Sequence, residues 1–277
     1  MNAPPHSRGR AAPACAIRGH AYVEAPFTGV AALRDQPPPA GAPALPTRFL
    51  RHCDEQTVVA VRGVLDVLAR LDEPPPPASC GVVAAPCQAG RIVTARSLSQ
   101  LRTGGAVTVS PHIVPQCSLH SVAGAVSVAL GLHGPHLGIG GGPDALAEGL
   151  FAVFSLFEGG ACTSCWLLLS DWEREPALDP AGGPLGDPLC RGLALLLTPE
   201  SAACPGAARI VLAEPSGLVA PFSADDEAVD LAAFSRVIGM CAAGAALTAW
   251  GVPCPWPARI RVESWSAASA APRREAA

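Results

Sequence analysis

A chain of 277 residues with 49% apolar and only 15% charged residues is long enough for a substantial core, and it lacks the low hydrophobicity and high charge of a disordered chain. Its net charge of −4, with all 19 basic residues being Arg and none clustered, excludes the electrostatic footprint of a nucleic-acid binder. A mean hydropathy of +0.32 leaves much apolar surface to be covered, which points to an obligate partner rather than a solitary monomer.

Eleven cysteines would suit a disulfide framework in a small secreted chain. This chain is large and begins MNAPPHSRGR, with no apolar signal segment, so reduced thiols and a cytoplasmic location are expected. The longest uncharged stretches, Thr103–Pro143 and Val237–Ala258, are broken by Pro, Gly and polar residues, so no membrane span is expected.

In chain order, residues 1–16 read as a tail and Pro37–Pro46 as a linker, both rich in Pro and Ala. With a short strand between them they make up a leading segment, 1–47, ahead of a single domain over 48–266 and a disordered tail over 267–277. Glu55–Leu71 spaces Val58, Val61, Val64, Leu65 and Leu68 as a helix does, and Pro74–Pro77 stops it. Cys80–Ala85 predicts a short buried strand, and Ala145–Phe157 predicts a helix apolar nearly all round. Cys165–Ser170, Gly192–Thr198 and Arg209–Ala213 follow as strands. Asp226–Trp250 predicts a long helix with an acidic start at Asp225-Asp226-Glu227, and Arg259–Glu263 alternates like an edge strand. Strands alternating with helices give an α/β layered fold.

The most informative text is Ser110–Gly142, which carries no formal charge and is thick with small residues that let backbones approach closely. Ser110-Pro111, Ala123-Gly124, Val126-Ser127, Leu130-Gly131-Leu132 and Gly134-Pro135 stand in the order and spacing of the β-ketoacyl-acyl-carrier-protein synthases. The chain resembles that family most clearly over residues 48–170. The resemblance implies a thiolase-like layered fold, mostly the N-terminal half of a ketosynthase. It also implies a two-fold contact through Ser110, Pro111, His120, Ala123, Gly124, Ser127, Gly134 and Pro135.

Active members of the family place a cysteine at the start of a buried helix, where unpaired N–H groups favour a thiolate and later an oxyanion. Counting on from Gly134-Pro135, that position falls on Pro143, flanked by Gly142 and Asp144, and none of these supplies a thiol. The family's two catalytic histidines belong to its C-terminal half, whereas all seven histidines here lie at or before His136. By resemblance the chain is a non-catalytic, chain-length-factor type of subunit. It would pair with a catalytic ketosynthase and serve an acyl carrier protein indirectly, in polyketide, aryl-polyene or fatty-acid-type biosynthesis. The run Leu167-Leu168-Leu169-Ser170-Asp171 is similar to the aryl-polyene members in particular. A divergent acyltransferase and a carrier-protein-binding scaffold are the alternatives.

No cofactor or metal is expected. Cys162-Thr-Ser-Cys165 has redox or zinc spacing but no second Cys pair at usable distance. His112, His120, His133 and His136 read as polar groups of an interface loop. Gly138–Gly142 lacks the Lys and Ser/Thr of a phosphate loop, and Cys117 reads as a packing residue.

Overall fold

The apolar runs of the sequence fold as the strands of one mixed sheet. The structure is a computed structural model that describes residues 12–111, 113–202, 208–213, 229–245, 251–256 and 258–264. Its elements are β1 (Ala14–Pro26), α1 (Phe27–Asp35), α2 (Glu55–Leu68), β2 (Cys80–Pro86), α3 (Arg91–Gly104), α4 (Ile113–Cys117), α5 (Ser121–Leu130) and β3 (His136–Gly138). There follow α6 (Ala145–Glu158), β4 (Ser164–Trp172), β5 (Leu189–Pro199), β6 (Ala208–Ala213), α7 (Leu231–Ala242), β7 (Gly251–Pro253) and β8 (Arg259–Ser264). The eight strands lie in the order β3-β2-β4-β5-β1-β6-β8-β7. β2 runs parallel to β3 and β4, and the remaining pairings are antiparallel.

Alternation along the strands assigns each residue to one of two cores. Val82, Ala84, Trp166, Leu168, Ala194 and Leu196 face α2 and α5, whereas Val83, Ala85, Leu167, Leu169, Leu193 and Leu195 face α6 and α7. Covering on both faces explains why these strands read as unbroken apolar runs. The architecture is three layers, helix on sheet on helix.

α2 is the buried pillar of the first layer. Asp54 caps it by accepting the Thr57 N–H at 2.9 Å, and of its residues only Asp66 escapes burial. Gly63 lets it press onto the sheet, since a Cβ there would stand 3.2 Å from Ala194 Cβ and 3.4 Å from the Ala21 carbonyl. Arg62 donates to the carbonyls of Leu33, Gln36 and Pro37 and so pins the Pro-rich segment to the helix.

Several expectations change. The leading segment is structural: β1 starts at Ala14, inside the stretch read as tail, and lies between β5 and β6. Its Arg18, His20 and Glu24, with an irregularity between Ile17 and Gly19, mask the strand pattern. α2 ends at Leu68, three residues early, and α3 was not anticipated because its stretch is polar, with only Ile92 buried. α6 is not apolar toward protein all round: Leu146, Leu150, Val153 and Phe154 are buried, but Phe151 is 58% exposed. α7 is shorter than the predicted helix and is capped by Asp230; residues 225–227 and 246–250 lie outside the described residues, as do His112 and 267–277. β8 is not an edge strand, because β7 pairs outside it. Among the described residues no helix is long and apolar enough to cross a membrane.

Candidate functional site

The C-terminal ends of parallel β2 and β4 meet the N-terminal ends of α6 and α7 around a cleft of about 410 Å³, lined in part by Cys87, Gly142, Pro143, Leu146, Asp171 and Arg191. Clefts at the carboxyl ends of sheet strands are the usual ligand sites of α/β folds. Gly142 and Pro143 line this cleft. Pro143 sits in the turn before α6, which starts at Ala145, and the Ala145 N–H reaches back to the Gly142 carbonyl at 3.1 Å. Asp144 takes the N-cap position without a side-chain hydrogen bond. Gly141 permits this turn, since a Cβ there would collide with the Pro86–Cys87 peptide.

The adjoining loop is held from behind. The Cys87 N–H donates to the Ser170 carbonyl at 2.7 Å, its carbonyl accepts from the Gln56 side chain, and the Ser170 hydroxyl lies 3.1 Å from Gln56 Oε1. Asp54, besides capping α2, accepts the Gly90 N–H at 3.0 Å. Gln88 and Gly90 take the left-handed conformation, with φ of 59° and 66°, to make the turn. Sequence reasoning missed this loop and its thiol; no local motif marks Cys87, which reaches the cleft only through the β2 to α3 turn.

The floor is an ion pair. Arg191 Nε and Nη2 donate to Asp171 Oδ1 and Oδ2 at 2.8 and 2.9 Å, and Arg191 Nη1 lies 3.9 Å from Asp230. Burial raises the Asp171 carboxyl above its ordinary range, against the pull of Arg191. Burial also raises the Cys87 thiol, as do Asp171 and Glu175. The described lining therefore offers one thiol, held protonated, one Arg already paired, and the acids Asp171, Glu173 and Asp230, with no histidine among them. Its thiol is raised rather than lowered, so the described lining does not present the activated thiolate of a nucleophilic site.

The expected contact residues divide. Ala123 is fully buried in the chain's own core, and Ser127 is buried with its hydroxyl donating to the Leu132 carbonyl at 3.1 Å, so neither can meet a partner. Gly134 packs on the Cys80–Gly81 backbone, and the Pro135 carbonyl accepts the Val82 N–H at 2.8 Å. Both therefore seat the edge strand β3 rather than project from it. Ser110 and Pro111 are exposed, and His120 and Gly124 line a shallow apolar hollow of about 300 Å³ with Phe49, Pro115 and Val128. His120 lies 2.9 Å from His136 Nδ1 on β3; burial first, then the His136 charge, lowers the His120 pKa. Seven large apolar side chains are exposed on this part of the chain: Leu98, Leu101, Val107, Val114, Leu119, Val128 (70%) and Leu137.

No protein-family model matches the sequence, and no curated protein matches it. Solved structures do match. One is a chain of "Ketosynthase (ApeO) in Complex with its Chain Length Factor (ApeC)" from Xenorhabdus doucetiae, at 15% identity and TM-score 0.54, covering 90% of this chain and 98% of that one. Another is a type II PKS acyl-carrier protein in complex with its ketosynthase (AntDE:AntF), at 14% identity and TM-score 0.53, covering 74% of this chain and 70% of that one. The ishigamide ketosynthase/chain length factor matches at 19% identity and TM-score 0.49, and the chain spans 65% of its length. The chain has the layered, thiolase-like fold of ketosynthases and chain length factors.

Proposed function

We propose that the chain is a non-catalytic, ketosynthase-like partner subunit of chain-length-factor type, which assembles with a catalytic ketosynthase and acts on an acyl carrier protein's cargo only through that partner. The observation that carries this reading is the start of α6. A helix N-terminus borders the cleft, while Gly142, Pro143 and Asp144 occupy the turn and supply no thiol. The acids Asp171, Glu173 and Asp230 also make the cleft unwelcoming to an anionic carrier arm.

The pairing of a ketosynthase with a chain length factor in the Xenorhabdus complex supports the choice of partner. The open edge of β3 and the exposed Val114, Leu119, Val128 and Leu137 support an extensive contact on that side of the sheet. The pathway class is polyketide, aryl-polyene or fatty-acid-type biosynthesis, and the compartment is the cytoplasm, where a structural disulfide framework does not persist.

One observation favours a second reading, a divergent acyltransferase: Cys87 lines the same cleft as Pro143. Its raised pKa argues against it. Incubation of the purified chain with a reactive acyl thioester, followed by intact-mass measurement, separates the two. The partner reading expects no stoichiometric adduct and no condensation of malonyl units. An adduct of one equivalent that disappears in Cys87→Ala would establish the acyltransferase instead.

A further inference from the structure

Three cysteines gather where β4 begins against β2. Cys165 is the register partner of Gly81, and a Cβ built on Gly81 would lie 3.3 Å from Cys162 Sγ and 3.5 Å from Cys165 Sγ. Both sulfurs thus sit over one bare backbone position, with Cys80 next to it in the chain. The Cys165 S–H points to the Trp166 carbonyl at 3.5 Å, and the Cys80 S–H to the Gly81 carbonyl at 3.7 Å. Cys162 follows the exposed turn Gly159–Ala161 and retains 5% exposure, whereas Cys165 has none. The two are separated by two residues, the spacing at which one thiol can resolve a mixed disulfide on the other.

We propose that Cys162 and Cys165 form a thiol–disulfide exchange site whose oxidant is a low-molecular-weight disulfide such as oxidised glutathione. The proposal does not depend on the partner reading. Cys162, as thiolate, attacks one sulfur of the small disulfide, so that a new S–S bond forms on Cys162 and one small thiol leaves. Cys165 then gives up its proton and attacks Cys162 Sγ, closing the Cys162–Cys165 bond and releasing the second small thiol. Two protein thiols and one small disulfide become one protein disulfide and two small thiols; the protein is oxidised by two electrons and the small disulfide is reduced by two.

The environment sets the order of the steps. The neighbouring Cys165 thiol and the Gly81 N–H pull the Cys162 thiol down, while the neighbouring Cys162 and complete burial hold Cys165 up. The outer thiol is the attacker and the inner one the resolver. Once the mixed disulfide has removed the negative charge from Cys162, one of the two main causes that hold Cys165 up is gone and burial remains.

The test uses the full chain, equilibrated anaerobically with glutathione redox mixtures, acid-quenched, alkylated and mapped by peptide mass spectrometry. The expected result is a loss of about 2 Da in intact mass at oxidising poise, mapped to Cys162–Cys165. Cys165→Ser should trap glutathione on Cys162, and Cys162→Ser should leave Cys165 unmodified, with the first adduct slowed at least about tenfold. The wild-type mapping needs no variant, so a misfolded serine variant cannot rescue the idea. An unchanged mass, a bond mapped to Cys80 or any other cysteine, or a Cys165→Ser chain that takes no glutathione on Cys162 would each overturn it.

Discussion

Asp171 and Arg191 stand directly opposite each other on β4 and β5 and join through two hydrogen bonds of 2.8 and 2.9 Å at the floor of the cleft. Both side chains are largely buried, at 15% and 16% exposure. Removing one partner strands the other's charge, which costs far more than the pair itself contributes. Arg191→Met is therefore expected to lower unfolding free energy by about 2–4 kcal/mol, and adding Asp171→Asn to recover at least half of it. Urea denaturation of the two singles and the double measures this directly.

A second carboxylate gives a pH signature. Asp54 is fully buried, and burial raises its pKa from the ordinary 3.8 despite the N–H groups of Thr57 and Gly90. With the folded value raised, the native state keeps its proton to higher pH than the unfolded chain does. The stabilisation is therefore complete below the unfolded pKa and is lost as pH rises through the folded one. Asp54→Asn removes that decline, so its stability relative to wild type should improve as pH rises across this window. Asp54→Ala, which loses both acceptors, should cost about 2 kcal/mol at neutral pH. Denaturant midpoints as a function of pH check both statements.

Close packing of α2 on the sheet supplies a third prediction. Gly63 has Ala194 Cβ and the Ala21 carbonyl at 3.2 and 3.4 Å from where a side chain would begin. Gly63→Val forces the helix off the sheet and is expected to destabilise by about 1–3 kcal/mol. Thermal unfolding followed by circular dichroism reads the loss.

These residues also mark how much the sequence disclosed. Cys165–Ser170 and Gly192–Thr198 read as strands and α2 showed its period plainly, because in both cases burial by the chain itself dictates the pattern. The helix behind Pro143 was legible from its own apolar run, and the meaning of that position came only from the family resemblance. β1 was hidden, because its charged and small residues sit among pairing partners, β5 and β6, that are far away in sequence. The Asp171–Arg191 floor and the Cys87 wall were hidden for the same reason: each is assembled by sheet register and loop clamps. The residues expected at a partner contact divide between the core and the surface. Small residues mark close approach equally well inside the chain, as at Ala123 and Gly134, and outside it, as at Gly124.

Gly124 is the place to test the exposed side. A Cβ there meets only the His120 ring, at 3.5 Å, so a long side chain can leave toward solvent without disturbing the core. Gly124→Arg should fold with wild-type circular dichroism, yet place a charge in the apolar hollow beside Val128. Its effect should appear in association alone, with an unfolding midpoint lowered by no more than about 1 kcal/mol equivalent.

The most direct measurement is co-expression of the chain with a catalytically complete ketosynthase encoded in the same genome, followed by size-exclusion chromatography with mass determination. The account predicts a stable one-to-one complex, poor solubility of the chain expressed alone, and loss of co-elution in Gly124→Arg. A well-behaved monomer that ignores every such ketosynthase, or a Gly124→Arg chain that binds as tightly as wild type, would contradict it.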